Sequence, residues 1–241
     1  MGQAAEARVA FFMKFFVGPE GRDEFLRNPA GIPVIVDVLR ATSTIVMALY
    51  CGAERVVPVR DYDEALAVGR RLEALTIGER NGIKVEGFIH GNSPTELSRT
   101  LLKGETIVMV TTNGTQIMVE GGIIASTLNA GAVAEEIAAM PHAYLLASGS
   151  PKKSDEDLCA AGLIEHIAER IRAGLHAEEA VASTVSSTEG KKLLDGIRHS
   201  GSGEKLAAYG YGADVDLVCT AINRYPIAPV YSKGEIRLAP G

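Results

Sequence analysis

The sequence predicts an α/β protein with a mostly parallel sheet covered by helices on both faces. Three observations carry that prediction. Short apolar runs alternate with stretches of helical spacing along the 241 residues. The runs are apolar throughout, as strands covered on both faces are. Glycine is abundant at 26 residues and aromatics are scarce at 5%, which suits tight strand-to-helix turns.

The elements follow in order. PVIVD at 33–37 is a strand, and 41–50 is a helix closed by Gly52. RVVPV at 55–59 is a second strand, followed by helical spacing over 62–74. A short run leads to a turn at Gly78-Glu79-Arg80. In Ser93-Pro94-Thr95-Glu96, Ser at N-cap, Pro at N1 and Glu at N3 make a capping box. TIVMV at 106–110 is a strand, with a helix expected from Gln116. Residues 123–127 form a further strand before the Ala/Glu-rich helix at 130–140. Residues 144–147 precede an amphipathic helix over 158–173, with apolar residues at Leu158, Ala161, Ile164, Ile167, Ala168 and Ile171. Segment 181–204 reads as a helix plus a flexible loop, and 214–218 with 229–238 as strands or an edge hairpin. No linker or repeat divides the chain, so 1–241 reads as one α/β unit with right-handed crossovers.

Composition excludes several classes. A formal charge of −6 without a basic block argues against nucleic-acid binding. Apolar runs stop well short of the ~20 residues a bilayer requires. Residues 1–8 carry Glu6 and show no leader pattern. Cys51, Cys159 and Cys219 are too few and scattered for a disulfide framework, so a cytoplasmic setting is expected.

In an open parallel sheet, ligands sit beyond the carboxyl ends of strands. There stand Asp37 and Arg40, with Ser43 and Thr44 just beyond, and the stretch Thr111-Thr112-Asn113-Gly114-Thr115. The latter fits an anion cradle of N–H and hydroxyl donors, or a capped turn. Asp37 could hold a hard cation and Arg40 a phosphate, or the two could pair with each other. Asn92 lies free of the capping box. Glu79 and Arg80 read as a metal ligand and an anion grip, or as an exposed turn pair. Asp155, Glu156 and Asp157 suit a helix N-terminus, with cation binding the alternative.

Missing motifs narrow the chemistry. There is no dinucleotide fingerprint and no P-loop. A cysteine phosphatase needs Arg six residues after its nucleophile, where this chain has Val57, Glu165 and Tyr225. Leu39 breaks an Asp-x-Asp signature. His90, His142, His166, His176 and His199 show no zinc spacing.

DVLRATST at 37–44, GER at 78–80, GNSP at 91–94, TTNGT at 111–115, LNA at 128–130 and DEDLCAAG at 155–162 together resemble the 2-phosphosulfolactate phosphatase family. The resemblance runs from about Pro33 to Gly162, with a weaker echo at 210–219. It implies a three-layer α/β/α fold of two similar, interleaved halves. It implies a magnesium-dependent phosphatase acting on a phosphorylated 2-hydroxy acid, 2-phosphosulfolactate, in coenzyme M biosynthesis. Carried onto this chain, Asp37, Glu79 and Asp157 would hold Mg2+, with Asp37 and Arg40 catalytic. Arg40, Thr112, Asn113, Gly114 and Thr115 would bind phosphoryl oxygens, and Ser43, Thr111 and Asn129 complete the substrate-binding set. Arg80 and Asn92 would hold the substrate's carboxylate or sulfonate. Two departures stand out: Ile89-His90 replaces an acid and an apolar residue, and Gln116 replaces Arg. They motivate a rival reading, a non-catalytic anion-binding module, beside a third, the same chemistry on a phosphorylated lactate or glycerate. An apolar sheet edge or helix could pair two copies.

Overall fold

The protein is described by a computed structural model that places residues 14–29, 31–140, 142–149 and 155–239. The leader reading over residues 1–8 lies outside them. Ten strands form one sheet: β1 (Lys14–Val17), β2 (Ile32–Val36), β3 (Arg55–Pro58), β4 (Leu75–Arg80), β5 (Ile83–Lys84), β6 (Thr106–Val110), β7 (Gly122–Ala125), β8 (Ala143–Ala147), β9 (Val230–Ser232) and β10 (Glu235–Arg237). Their order is β1-β8-β2-β7-β9-β10-β3-β6-β4-β5. One parallel set contains β1, β8, β2 and β7, and another β3, β6 and β4. The β9–β10 hairpin joins them by antiparallel pairing on each side. The C-terminal strands therefore sit mid-sheet rather than at an edge, and Ile236 is fully buried there.

The ten helices are α1 (Gly18–Arg27), α2 (Ala41–Tyr50), α3 (Tyr62–Leu72), α4 (Pro94–Leu97), α5 (Ala130–Ala138), α6 (Asp155–Arg172), α7 (Ala177–Ser186), α8 (Thr188–Arg198), α9 (Gly201–Ala208) and α10 (Gly212–Thr220), counted among the described residues. Helix α2 has almost no polar face, and Ala41 to Leu49 are all buried. A helix apolar all round must be enclosed all round. Its cluster takes Ile35, Ile124 and Leu146 from one strand set, and Val56, Ile77 and Met109 from the other. Helices α5 and α6 cover the opposite face of the first set, where Val34, Val36, Leu145 and Ala147 pack. Helix α3 belongs to the cluster on the second set, with Val108 and Val110. The predicted layers are thus present.

The sheet cannot be flat. β2 and β6 lie five places apart in strand order, about 24 Å at ordinary strand spacing. Yet a Cβ added at Gly114, just beyond β6, would lie 2.5 Å from Asp37 Oδ2, just beyond β2. Right-handed twist accumulates over so many strands, and the sheet coils around α2. That coiling brings together loops that follow strands of both sets.

Several local readings are corrected. A single 3₁₀ turn, Gly114–Gln116, stands where a helix was expected after TTNGT. Residues 214–218 lie in α10, not a strand, and 181–204 carry parts of three helices. Glu79 and Arg80 end β4 rather than occupy a turn; the turn is Asn81-Gly82, both at positive φ, as a two-residue hairpin requires. Ser93 caps α4, but the Glu96 carboxylate accepts from Gly91 N–H and meets His90 instead of closing the box. β1 and α1 had no counterpart in the sequence reading.

Candidate active site

A polar cavity of about 170 Å³ opens where the loops after β2, β6 and β8 meet the end of β4 and one face of α9. Its wall includes Asp37 and Arg40 from the first loop, Glu79 and Gly82 from the β4–β5 hairpin, and Asn92 before α4. Thr112 and Asn113 follow β6, Ser148 and Gly149 follow β8, and Glu156 stands in the first turn of α6. The carboxyl-end rule therefore holds across both parallel sets.

Asp37 is buried at 7% exposure, and its Oδ1 accepts from Ala41 N–H at 3.3 Å. Burial pushes its carboxyl up to about 6; the Glu79 and Glu156 charges add to the rise, against the Ala41 N–H and the Ser148 hydroxyl. Gly114 is required beside it, because any side chain there would strike Asp37 and Ala41. Asp157 stands behind, 1% exposed. Its Oδ1 accepts from Val38 N–H at 2.8 Å, and its Oδ2 from Ser148 N–H and Oγ at 3.1 and 2.9 Å. Burial and the adjacent Asp37 and Glu156 charges hold its carboxyl well above the usual range. Asp157 thus ties the loops after β2 and β8 together.

Glu79 plays the same part for the second set. It accepts from Thr112 N–H at 2.6 Å, Thr112 Oγ1 at 3.0 Å and Gly82 N–H at 2.5 Å. The Thr111–Thr115 loop is closed from within: Thr111 Oγ1 accepts from Thr115 N–H, and Thr115 Oγ1 from Thr111 N–H. Arg40 is fixed from three sides. Nη1 pairs with Asp214 at 2.9 Å, Nη2 donates to Gly82 O at 2.8 Å, and the guanidinium lies 4.1 Å from the Tyr211 ring centre. Asp214 also accepts from Ser93 Oγ at 2.8 Å, Thr95 N–H at 3.1 Å and Thr95 Oγ1.

Of the sequence-predicted residues, Asp37, Arg40, Glu79, Asn92, Thr112 and Asn113 line the cavity. Gly114 touches Asp37 from the side. Asp157, Thr111 and Thr115 brace the walls through the bonds just described. Ser43 is fully buried and bonded to Val38 O and Ser126 Oγ, and Asn129 closes the turn at Ser126. Neither of the two lines the cavity. Arg80 points outward, stacked 4.1 Å over the Tyr62 ring. The departures also lie off the wall: Ile89 is 49% exposed, and Gln116 donates to Arg60 O. Sequence reasoning missed Lys205 and Asp214, to which no local signal pointed; Glu156 was named within the acidic run 155–157, with cation binding as the alternative.

Magnesium needs hard oxygen donors, few of them carboxylates. Asp37 and Glu156 offer carboxylates to the cavity, and Asn92 Oδ1 is buried without a hydrogen-bond partner. In chemical type these donors suit the cation. Among the described residues, however, no three His, Cys, Asp or Glu side chains are grouped to share an ion. Both oxygens of Asp157, and both of Glu79, are engaged by the protein itself.

An α/β architecture with a cavity at the strand ends, walled by carboxylates, amide groups and two cations, defines an α/β protein with a polar pocket for a small charged ligand. Residues 20–234 match the family model described as 2-phosphosulpholactate phosphatase. A probable 2-phosphosulfolactate phosphatase of Thermotoga maritima is 38% identical, over 83% of this chain and 89% of the relative. One of Pseudothermotoga lettingae is 35% identical, over 90% and 98%, and one of Clostridium acetobutylicum 29% identical, over 89% and 94%. The chain belongs to the 2-phosphosulpholactate phosphatase family, and is thereby a phosphoric monoester hydrolase. Family membership favours the catalytic reading over the non-catalytic module. No helix among the described residues is long and apolar enough to cross a membrane.

Proposed function

We propose that this enzyme hydrolyses 2-phosphosulfolactate to sulfolactate and inorganic phosphate, with Mg2+, as a step of coenzyme M biosynthesis in the cytoplasm. The observation that carries the reading is the seating of Asp37 against the 111–115 loop in a chain whose relatives bear that name. Three free thiols suit a reducing compartment.

The residues divide the work. Asn113 presents donors to phosphoryl oxygens, on a loop that Glu79 holds in place by accepting from both the N–H and the hydroxyl of Thr112. Arg40, its charge matched by Asp214, offers those oxygens its remaining N–H groups as fixed donors rather than a net charge. Asp37, Glu156 and Asn92 would hold magnesium. Bound there, the cation offsets phosphoryl charge and eases activation of a water. Asp37 either orients that water or itself attacks phosphorus. In either case the P–O ester bond breaks and the departing hydroxy acid takes a proton; under direct attack a water then hydrolyses the acyl phosphate on Asp37, releasing inorganic phosphate and restoring the carboxylate.

Phosphate release is measured from 2-phosphosulfolactate, phospholactate and phosphoglycerate, with magnesium and with chelator. Turnover of the first that chelation abolishes and Asp37→Ala removes is the expected result. Turnover indifferent to chelation ends the magnesium reading, and preference for another ester ends the substrate reading. A trapped acyl phosphate on Asp37 decides for direct attack.

A further inference from the structure

We infer that Lys205 determines specificity by reading a second negative charge on the substrate, a carboxylate or sulfonate carried apart from the phosphoryl group. This rests on the phosphatase reading for its class of substrate.

The cavity wall carries three carboxylates, Asp37, Glu79 and Glu156, and two cations, Arg40 and Lys205. The cations are not equivalent. Arg40 has a side chain 1% exposed, and Asp214 at 2.9 Å already matches its charge. Lys205 is exposed and has no ion-pair partner among the described residues; its ammonium lies 5.5 Å from the centre of the Tyr209 ring. With Arg40 and Asp214 cancelling, Lys205 is the one uncompensated positive charge on the described wall.

Its placement is built in. Ser202, Lys205 and Leu206 stand at i, i+3 and i+4 of α9, so one face of the helix meets the cavity. Ser202 Oγ donates to Glu156 at 2.6 Å, and Leu206 and Tyr209 pack beside Gly82. These contacts fix the helix against two other walls and leave the lysine stem free to reach. A substrate with a phosphoryl group at Asp37 and a second acid elsewhere would set that acid against carboxylates of like charge. Lys205 relieves the repulsion. Arg80, the sequence's candidate for this task, is turned away onto Tyr62.

The test compares kcat/KM for 2-phosphosulfolactate, for phospholactate and for propyl phosphate, which lacks a second acid. The wild type, Lys205→Gln and Lys205→Arg are each assayed. The preference for each charged ester over propyl phosphate should fall about 5- to 20-fold in Lys205→Gln, through KM, and return in Lys205→Arg. The two charged esters distinguish a carboxylate reader from a sulfonate reader. Unchanged preference overturns the inference, since Lys205 would then serve the phosphoryl group or nothing. Calorimetric binding of sulfolactate to the same proteins gives an independent readout. If no ester is turned over, the phosphatase reading fails. Equal sulfolactate binding by wild type and Lys205→Gln would then sink this inference too, while binding lost in Gln and kept in Arg would sustain it.

Discussion

Arg40 and Asp214 meet at 2.9 Å although 174 residues separate them, and each side chain is 1% exposed. Through this pair α10 grips the loop after β2, and the other Asp214 oxygen holds the Ser93–Thr95 turn beside Asn92. Losing one partner leaves a buried charge alone. Asp214→Ala should therefore cost about 3–5 kcal/mol in urea unfolding and depress kcat together with stability. A loss under 1 kcal/mol would mean that water reaches Arg40 and the pair is not structural.

Gly114→Ala tests the seating of the donor loop. The added methyl would stand 2.4 Å from Ala41 Cβ and 2.5 Å from Asp37 Oδ2. The expected cost is about 1–3 kcal/mol in stability, with a fall in kcat as Asp37 is displaced. Gly212→Ala, where a Cβ meets nothing within 4 Å, is the control.

Asp37 should leave a signature in the pH dependence of stability of the metal-free protein. Its carboxyl is raised from 3.8 to about 6 on folding, so between those values the folded state holds more protons than the unfolded chain. Stability from this group is therefore lost as pH rises through that window. Asp37→Asn removes the charge, and should raise Tm at pH 8 with little change at pH 4. The same variant should lose on the order of 100-fold or more in kcat. An equal Tm change at both pH values would show that the group titrates normally.

Asn92 offers the opposite balance. Its Oδ1 is buried without a partner, so the protein gains little stability from that atom. Asn92→Ala should cost less than about 1 kcal/mol in denaturant unfolding while magnesium activation shifts to higher concentration. Loss of stability without a shift in magnesium dependence would assign Asn92 to the fold rather than to the site.

Much of the architecture was legible because it is written locally. PVIV lies within β2 and TIVMV is β6, and the 41–50 segment, apolar apart from Thr42, Ser43 and Thr44, is the enclosed α2. Asp37, Asn92 and Thr112-Asn113 were legible as site candidates because they follow strands or precede a capped turn, positions where chain geometry exposes polar groups. The TTNGT helix was misread because a Gly-containing turn suits a 3₁₀ turn as well as a helix start, and the choice fell to Asp37 packing against Gly114. The Asn81-Gly82 hairpin carried a signal that was available and passed over.

Periodicity and turn chemistry act over a few residues, and so the sequence by itself determined the central strands and helices from β2 to α6 and the family, but not β1, α1 or the helical character of 214–218. Which side chains share a cavity depended on how far ten strands coil around α2, a sum of small twists that no single segment encodes. The tertiary fold set Lys205 and Glu156 in the same cavity as Asp37 and gave Arg40 a buried partner from the far end of the chain, whereas the outward turn of Arg80 follows from strand alternation beside Glu79.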